Sequence, residues 1–98
     1  MHGWAEGDVA EESATVLLLR DRVGPQMKLM LDPAPQLTTF ADTVALGRAC
    51  DEANFLWLED PFQDTGVSQS AHRLLRERIR TPLLLGEHIR GLENKADF

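Results

Sequence analysis

Apolar positions recur along the chain in two alternating patterns. From Asp8 to about Arg22, Val9, Val16, Leu17 and Arg20 keep helical spacing, and Gly24-Pro25 ends the run. Asp8 suits the N-cap of this helix, because a short carboxylate can accept from the unpaired N–H groups of a first turn. Glu11 follows three residues later. Lys28 to Leu31 is a short apolar run closed by Asp32 and Pro33. It is too short for a helix and too apolar for a strand with a wet face, so it predicts a buried parallel strand. The cycle then repeats. Thr38 or Thr39 caps a helix reaching about Ala53, with Phe40, Val44, Ala45, Ala49 and Cys50 inward. Phe55 to Leu58 is a second strand, ended by Glu59-Asp60-Pro61. Ser68 or Ser70 opens a third helix to about Arg80, with Ala71, Leu74, Leu75 and Ile79 inward. Thr81-Pro82 breaks it, because the residue before proline avoids helical backbone. Leu83 to Leu85 is a third strand ending in Gly86-Glu87-His88, and a last short helix begins near Leu92.

Strands alternating with helices of this length form right-handed βαβ units on a parallel sheet. The predicted class is α/β, a partial (β/α) barrel of the TIM type with about three parallel strands and three to four helices. No low-complexity stretch and no linker interrupts residues 1–98, and the repeat is one of structure rather than of copied residues.

Composition narrows the partners. The chain has 98 residues, 43% hydrophobic and 27% charged, enough for one small globular domain. Its net charge of −6, from 16 acidic and 10 basic side chains, argues against nucleic acid or an anionic membrane surface, which need clustered Lys and Arg. Arg73, Arg76, Arg78 and Arg80 form the one basic cluster, and they read as a solvated helix face. A single cysteine, Cys50, allows no internal disulfide and fits a reducing cytoplasm, where it reads as a buried structural thiol. No apolar run approaches the ~20 residues of a membrane span. Met1-His2-Gly3-Trp4 followed by Glu6 and Asp8 lacks the basic start of a signal peptide.

The chemistry sits at the strand ends. Each predicted strand closes on a carboxylate, Asp32, Glu59 and Glu87, with 27 residues from the first to the second and 28 from the second to the third. A (β/α)₈ barrel of ~250 residues spends ~30 per unit, so three successive strands would deliver three carboxylates side by side. Their C-terminal ends are the face where such barrels keep their active sites. Three adjacent anions repel, and a hard cation relieves that repulsion. Mg²⁺ takes oxygen ligands and keeps positions open for water or substrate. The rival reading is that acidic residues often end strands in loops.

The stretches Lys28-Leu29-Met30-Leu31-Asp32, Trp57-Leu58-Glu59-Asp60-Pro61-Phe62 and Pro82-Leu83-Leu84-Leu85-Gly86-Glu87-His88-Ile89-Arg90-Gly91 resemble the enolase superfamily, in its mandelate racemase/muconate lactonizing (acid-sugar dehydratase) branch. The resemblance covers nearly the whole chain, as a central segment of the barrel domain. It departs from the family where Asp32-Pro33-Ala34 stands in place of the usual Asp-x-Asn. The resemblance implies Mg²⁺ held by Asp32, Glu59 and Glu87 and a small carboxylate or sugar-acid substrate. The proton α to that carboxylate would be abstracted and the enediolate stabilised by the metal, giving lyase or isomerase chemistry. His88 and Arg90 point towards the sugar-acid dehydratases.

The resemblance also implies residues that the chain does not show. A Lys-x-Lys or Lys-x-His base motif belongs on the strand before Asp32, and His2 stands either as the last residue of such a motif or as an N-terminal histidine of no role. The Asp-His pair of later strands and the capping domain have no counterpart in residues 1–98. The expectation is therefore a metal-binding segment with little turnover of its own. The alternative is a catalytically inactive module that binds a cation or self-associates, since open sheet edges recruit other chains into a homo-oligomer. Around the ligands, His88 is placed either behind them as a hydrogen-bonding support or as a packed or solvent-facing side chain. Asp60 supports the strand end, with Pro61 fixing the turn, rather than touching metal. His72 reads as surface, and Trp57, alternating with Glu59, as core packing.

Overall fold

The computed structural model describes residues 1, 8–33, 39–62 and 68–85. Three helices and three short strands alternate along them: α1 (Val9–Val23), β1 (Met30–Leu31), α2 (Phe40–Glu52), β2 (Trp57–Glu59), α3 (Gln69–Arg78) and β3 (Leu83–Leu84). The strands form one parallel sheet in the order β1-β2-β3. This is the arrangement the alternating periods predict. The short helix expected near Leu92 lies outside the described residues. Among the described residues, no helix is long and apolar enough to cross a membrane.

Each helix start follows from local chemistry. Asp8, Thr39 and Ser68 sit in extended backbone and accept, through their side-chain oxygens, from the N–H groups of Glu11, Asp42 and Ala71. Each bond satisfies one of the N–H donors that a first helical turn leaves unpaired. Where the pattern left two candidates, Thr39 and Ser68 are the caps. α1 ends at Gly24, whose φ of 83° suits a residue without a side chain.

The core lies between the sheet and the helices. Val16, Leu31, Leu46, Cys50, Leu58 and Leu75 are fully buried, with Phe55, Phe62 and Ile79 beside them. Cys50 is buried as expected. Burial pushes its thiol up to about 12, with the charges of Asp51 and Glu12 adding to the rise. The helix faces differ from expectation at several positions. Ala45 and Leu74, expected inward, are exposed, and α2 buries Thr43, Leu46 and Gly47 instead. Gly47 packs closely on the end of α3, because an added Cβ would come within 2.8 Å of two side-chain carbons of Ile79, which would have to shift. The strands are also shorter than the apolar runs, since β1 and β2 pair only from Met30 and Trp57 and β3 ends at Leu84. Arg73, Arg76, Arg78 and Arg80 are all exposed, the solvated face that was expected.

Two polar clasps join the units at the entrances to the strands. The Arg20 guanidinium donates to the carbonyls of Ala53 (2.6 Å), Met27 (2.7 Å), Gly24 (2.8 Å) and Asn54 (3.1 Å). It thus ties the end of α1 to the turn before β2. The Asp51 carboxylate, in the last turn of α2, accepts from the Arg80 N–H (2.9 and 3.0 Å), the Thr81 N–H (2.6 Å) and the Thr81 hydroxyl (2.5 Å). The Arg80 guanidinium answers with a bond to the Asp51 carbonyl at 2.6 Å. This second clasp fixes where the chain enters β3.

Candidate metal centre

Strand alternation decides which side chains reach the site. Leu31 and Leu58 are fully buried against the helices. Their neighbours Met30 and Asp32, and Trp57 and Glu59, are half-buried and lie on the opposite face of the sheet. β1 and β2 pair as Met30 with Trp57 and Leu31 with Leu58. One residue further along, Asp32 and Glu59 stand at the same level, on the same face, at the C-terminal ends of adjacent parallel strands. Neighbouring strands are ~4.8 Å apart, so two carboxylates at one level can share one cation.

Glu59 is held from both directions along the chain. Its Oε2 accepts from the Trp57 indole N–H at 3.4 Å. Trp57 is therefore not simply core packing, since its ring is half-buried on the face that carries Glu59. After Glu59 the chain turns sharply. Asp60 has φ of 39° and donates its N–H to the Leu84 carbonyl at 2.9 Å, which pins the exit of β2 to β3. Pro61 and Phe62 are buried. The Phe62 ring stacks on Phe40 of α2 at 6.4 Å and meets the edge of His72 of α3 at 4.9 Å.

His72 corrects the surface assignment. It is 5% exposed, and its Nδ1 lies 2.6 Å from the Ser68 carbonyl. Burial lowers its affinity for a proton, while the Ser68 carbonyl and the negative charge of Asp60 act the other way. A sequence signal exists, because His72 lies three residues before Leu75 and shares its inward side of α3. A lone polar ring on a short helix did not reveal its partner Phe62, which is distant in sequence.

At the other edge of β1, the Met1 ammonium donates to the Met30 carbonyl at 2.8 Å, and the Asp32 N–H donates to the Met1 carbonyl at 2.9 Å. Met1 thus runs along β1, and His2 follows it outside the described residues, as do Glu87 and His88 at the other end. β3 ends at Leu84 and the described residues at Leu85, two residues before Glu87.

The donor set suits a hard cation. Asp32 and Glu59 offer carboxylate oxygens, the ligands of Mg²⁺, Ca²⁺ and Mn²⁺. The softer donors are elsewhere: Cys50 is buried on α2 and His72 packs on α3 against Phe62. Among the described residues no three His, Cys, Asp or Glu side chains converge on a metal position. Asp32 and Glu59, each one residue beyond the paired Leu31 and Leu58, are two of the three expected ligands, and Glu87 lies outside the described residues.

Known proteins share this fold. The family profile described as "Enolase C-terminal domain-like" matches residues 1–98. A "D-galactonate dehydratase family member" from Streptomyces bingchenggensis (strain BCW-1) is 36% identical over 69 residues, covering 70% of this chain and 16% of the relative. An enolase from Bradyrhizobium, solved with magnesium and mandelic acid, is 28% identical with a TM-score of 0.79, over 98% of this chain and 26% of that one. D-glucarate dehydratase from Agrobacterium tumefaciens, also solved with magnesium, is 28% identical with a TM-score of 0.73, over 84% and 22%. The chain thus spans about a sixth to a quarter of the length of these proteins. Three parallel strands alternating with helices and a profile match along residues 1–98 have one account: the protein belongs to the enolase C-terminal domain-like family, as a segment of its β/α barrel.

Proposed function

We propose that this chain supplies the cation-binding segment of a Mg²⁺-dependent enzyme acting on a small carboxylate or sugar-acid substrate, with dehydration favoured over racemisation. The observation that carries the reading is the register of β1 and β2, which sets Asp32 and Glu59 one residue beyond the Leu31–Leu58 pair. Glu87 is the third ligand in this reading. When bound, the cation supplies Lewis-acid stabilisation of negative charge developing on a substrate carboxylate. Asp32 and Glu59 hold it, and the buried Pro61-Phe62 turn with the Asp60–Leu84 bond keeps Glu59 at its level. His88 supports the ligands from behind, and His2 is the candidate for moving the substrate's α-proton. Support for the substrate class comes from the D-galactonate dehydratase family member and the D-glucarate dehydratase among similar proteins, and from the Bradyrhizobium enolase solved with magnesium and mandelic acid.

Titration of the 98-residue chain with Mg²⁺ tests this. Calorimetry is expected to show saturable binding and thermal unfolding a rise in midpoint, with both weakened about 10-fold or more by Glu59→Gln. A wild-type chain that ignores Mg²⁺, or a Glu59→Gln variant that binds equally, would refute the reading. Deuterium exchange at the α-carbon of sugar acids, followed by NMR, tests the chemistry, and little exchange is expected from this chain alone.

A second reading is favoured by one feature. β3 is an edge strand among the described residues, and Leu84 on it is 43% exposed, with Leu56 before β2 at 44%. Open edges bearing apolar side chains recruit further strands, so the chain acts in this reading as a metal-binding module that associates with copies of itself. Light scattering that returns a monomer mass at high concentration would sink it.

A further inference from the structure

We propose that Trp57 is a positioning residue for the cation, its indole N–H holding the Glu59 carboxylate on the face that Asp32 shares. The inference rests on the metal-site reading above and adds a residue to it. Trp57 and Glu59 are two apart in β2 and therefore share a face. The indole Nε1 lies 3.4 Å from Oε2 of Glu59, in a half-buried setting. An indole has one donor and no acceptor, so on a face lined by carboxylates it can only serve an oxygen.

At 3.4 Å the contact is long for an N–H···O bond. It acts as a restraint rather than a strong bond, and contacts of this kind commonly tighten when a site fills. The restraint still matters, because the terminal torsion of Glu is broad. A donor on one carboxylate oxygen narrows that torsion before the cation arrives and lowers the ordering cost of binding. The neutral dipole also offsets part of the repulsion between Glu59 and Asp32 at the same level. The apolar rest of the ring keeps water from one side of the carboxylate, where charge interactions then strengthen.

A residue that only fills space would leave Mg²⁺ affinity unchanged when its N–H is removed and its ring retained. Trp57→Phe makes that change. The probe is Mg²⁺ alone, titrated calorimetrically well below the melting midpoint of either protein. A second readout needs no metal. In a Trp4→Phe background Trp57 is the sole indole, and its N–H resonance reports the charge on its acceptor. Trp57→Phe is expected to weaken Mg²⁺ binding about 10-fold, and to add nothing in a Glu59→Gln background. The indole resonance is expected to shift on adding Mg²⁺ and in Glu59→Gln. Unchanged affinity in Trp57→Phe, or effects of the two substitutions that add, would overturn the proposal. If the wild-type chain does not bind Mg²⁺, the metal-site reading fails. The indole resonance then decides the contact by itself, and an identical resonance in Glu59→Gln overturns it.

Discussion

Replacing Asp51 by alanine pits local helix preference against tertiary structure, and the two predict opposite signs. Asp51 lies in the last turn of α2, where its negative charge opposes the helix dipole. Alanine also has the higher helix propensity. On local grounds Asp51→Ala should stabilise the chain by about 1 kcal/mol. The clasp to β3 argues otherwise. Thr81 is 5% exposed, and both its N–H and its hydroxyl are served by Asp51 Oδ1, at 2.6 and 2.5 Å. Removing that acceptor leaves two buried donors unsatisfied, at about 1–3 kcal/mol each. The Arg80 contacts are exposed and add little. Taking about 3–4 kcal/mol for the Thr81 donors against about 1 kcal/mol gained in the helix leaves a net loss of about 2–3 kcal/mol. For a domain of this size that lowers the melting midpoint by about 10–20 °C. Thermal unfolding followed by circular dichroism measures it. A midpoint equal to or above that of the wild type would show that the helix terms dominate and that Asp51 does not anchor β3. Thr81→Ala in the same background should then cost little more, because its donors have already lost their acceptor.

Three further outcomes are expected. Arg20→Lys keeps the charge and loses the planar fork that reaches four carbonyls, so denaturant unfolding should show a loss of about 2 kcal/mol; wild-type stability would mean that charge alone suffices. Cys50, with its thiol pushed up to about 12, should resist alkylation at pH 8 until the chain unfolds. Because the unfolded thiol loses its proton first, native stability should fall from about pH 9 upwards by up to about 1.4 kcal/mol per pH unit, and Cys50→Ala should remove that part of the fall. For His72 the sign is reversed: its folded affinity for a proton is lowered by burial, so stability is present above its ordinary value and declines as pH drops through it. His72→Phe, which keeps a ring against Phe62, should lose that acid sensitivity, and an unchanged pH profile would show that His72 does not contribute to it.

The legible part of the protein was the part set by near neighbours in the chain. Asp8, Thr39 and Ser68 cap their helices because a side-chain oxygen three residues before an N–H needs no distant partner. The alternation of short apolar runs with helical spacing determined the parallel sheet, since only βαβ crossovers connect such elements. The spacing of 27 residues also matches the register of β1 on β2, Met30 with Trp57 and Leu31 with Leu58, because one barrel unit returns the chain to the same level of the next strand.

What tertiary structure decided was orientation and partnership. Periodicity does not phase a helix that is apolar on more than one side, so α2 turned Leu46 and Thr43 inward and left Ala45 out. His72 became buried because Phe62, brought back by the turn after β2, supplied a ring for its edge. Trp57 met Glu59 because strand pleating puts alternate side chains on one face, and only packing on the other face told which one was free of helices. The Arg20 and Asp51 clasps join residues about 30 positions apart. No local signal marks such pairs, because their energy comes from buried donors and carbonyls that exist as neighbours only once the sheet has formed.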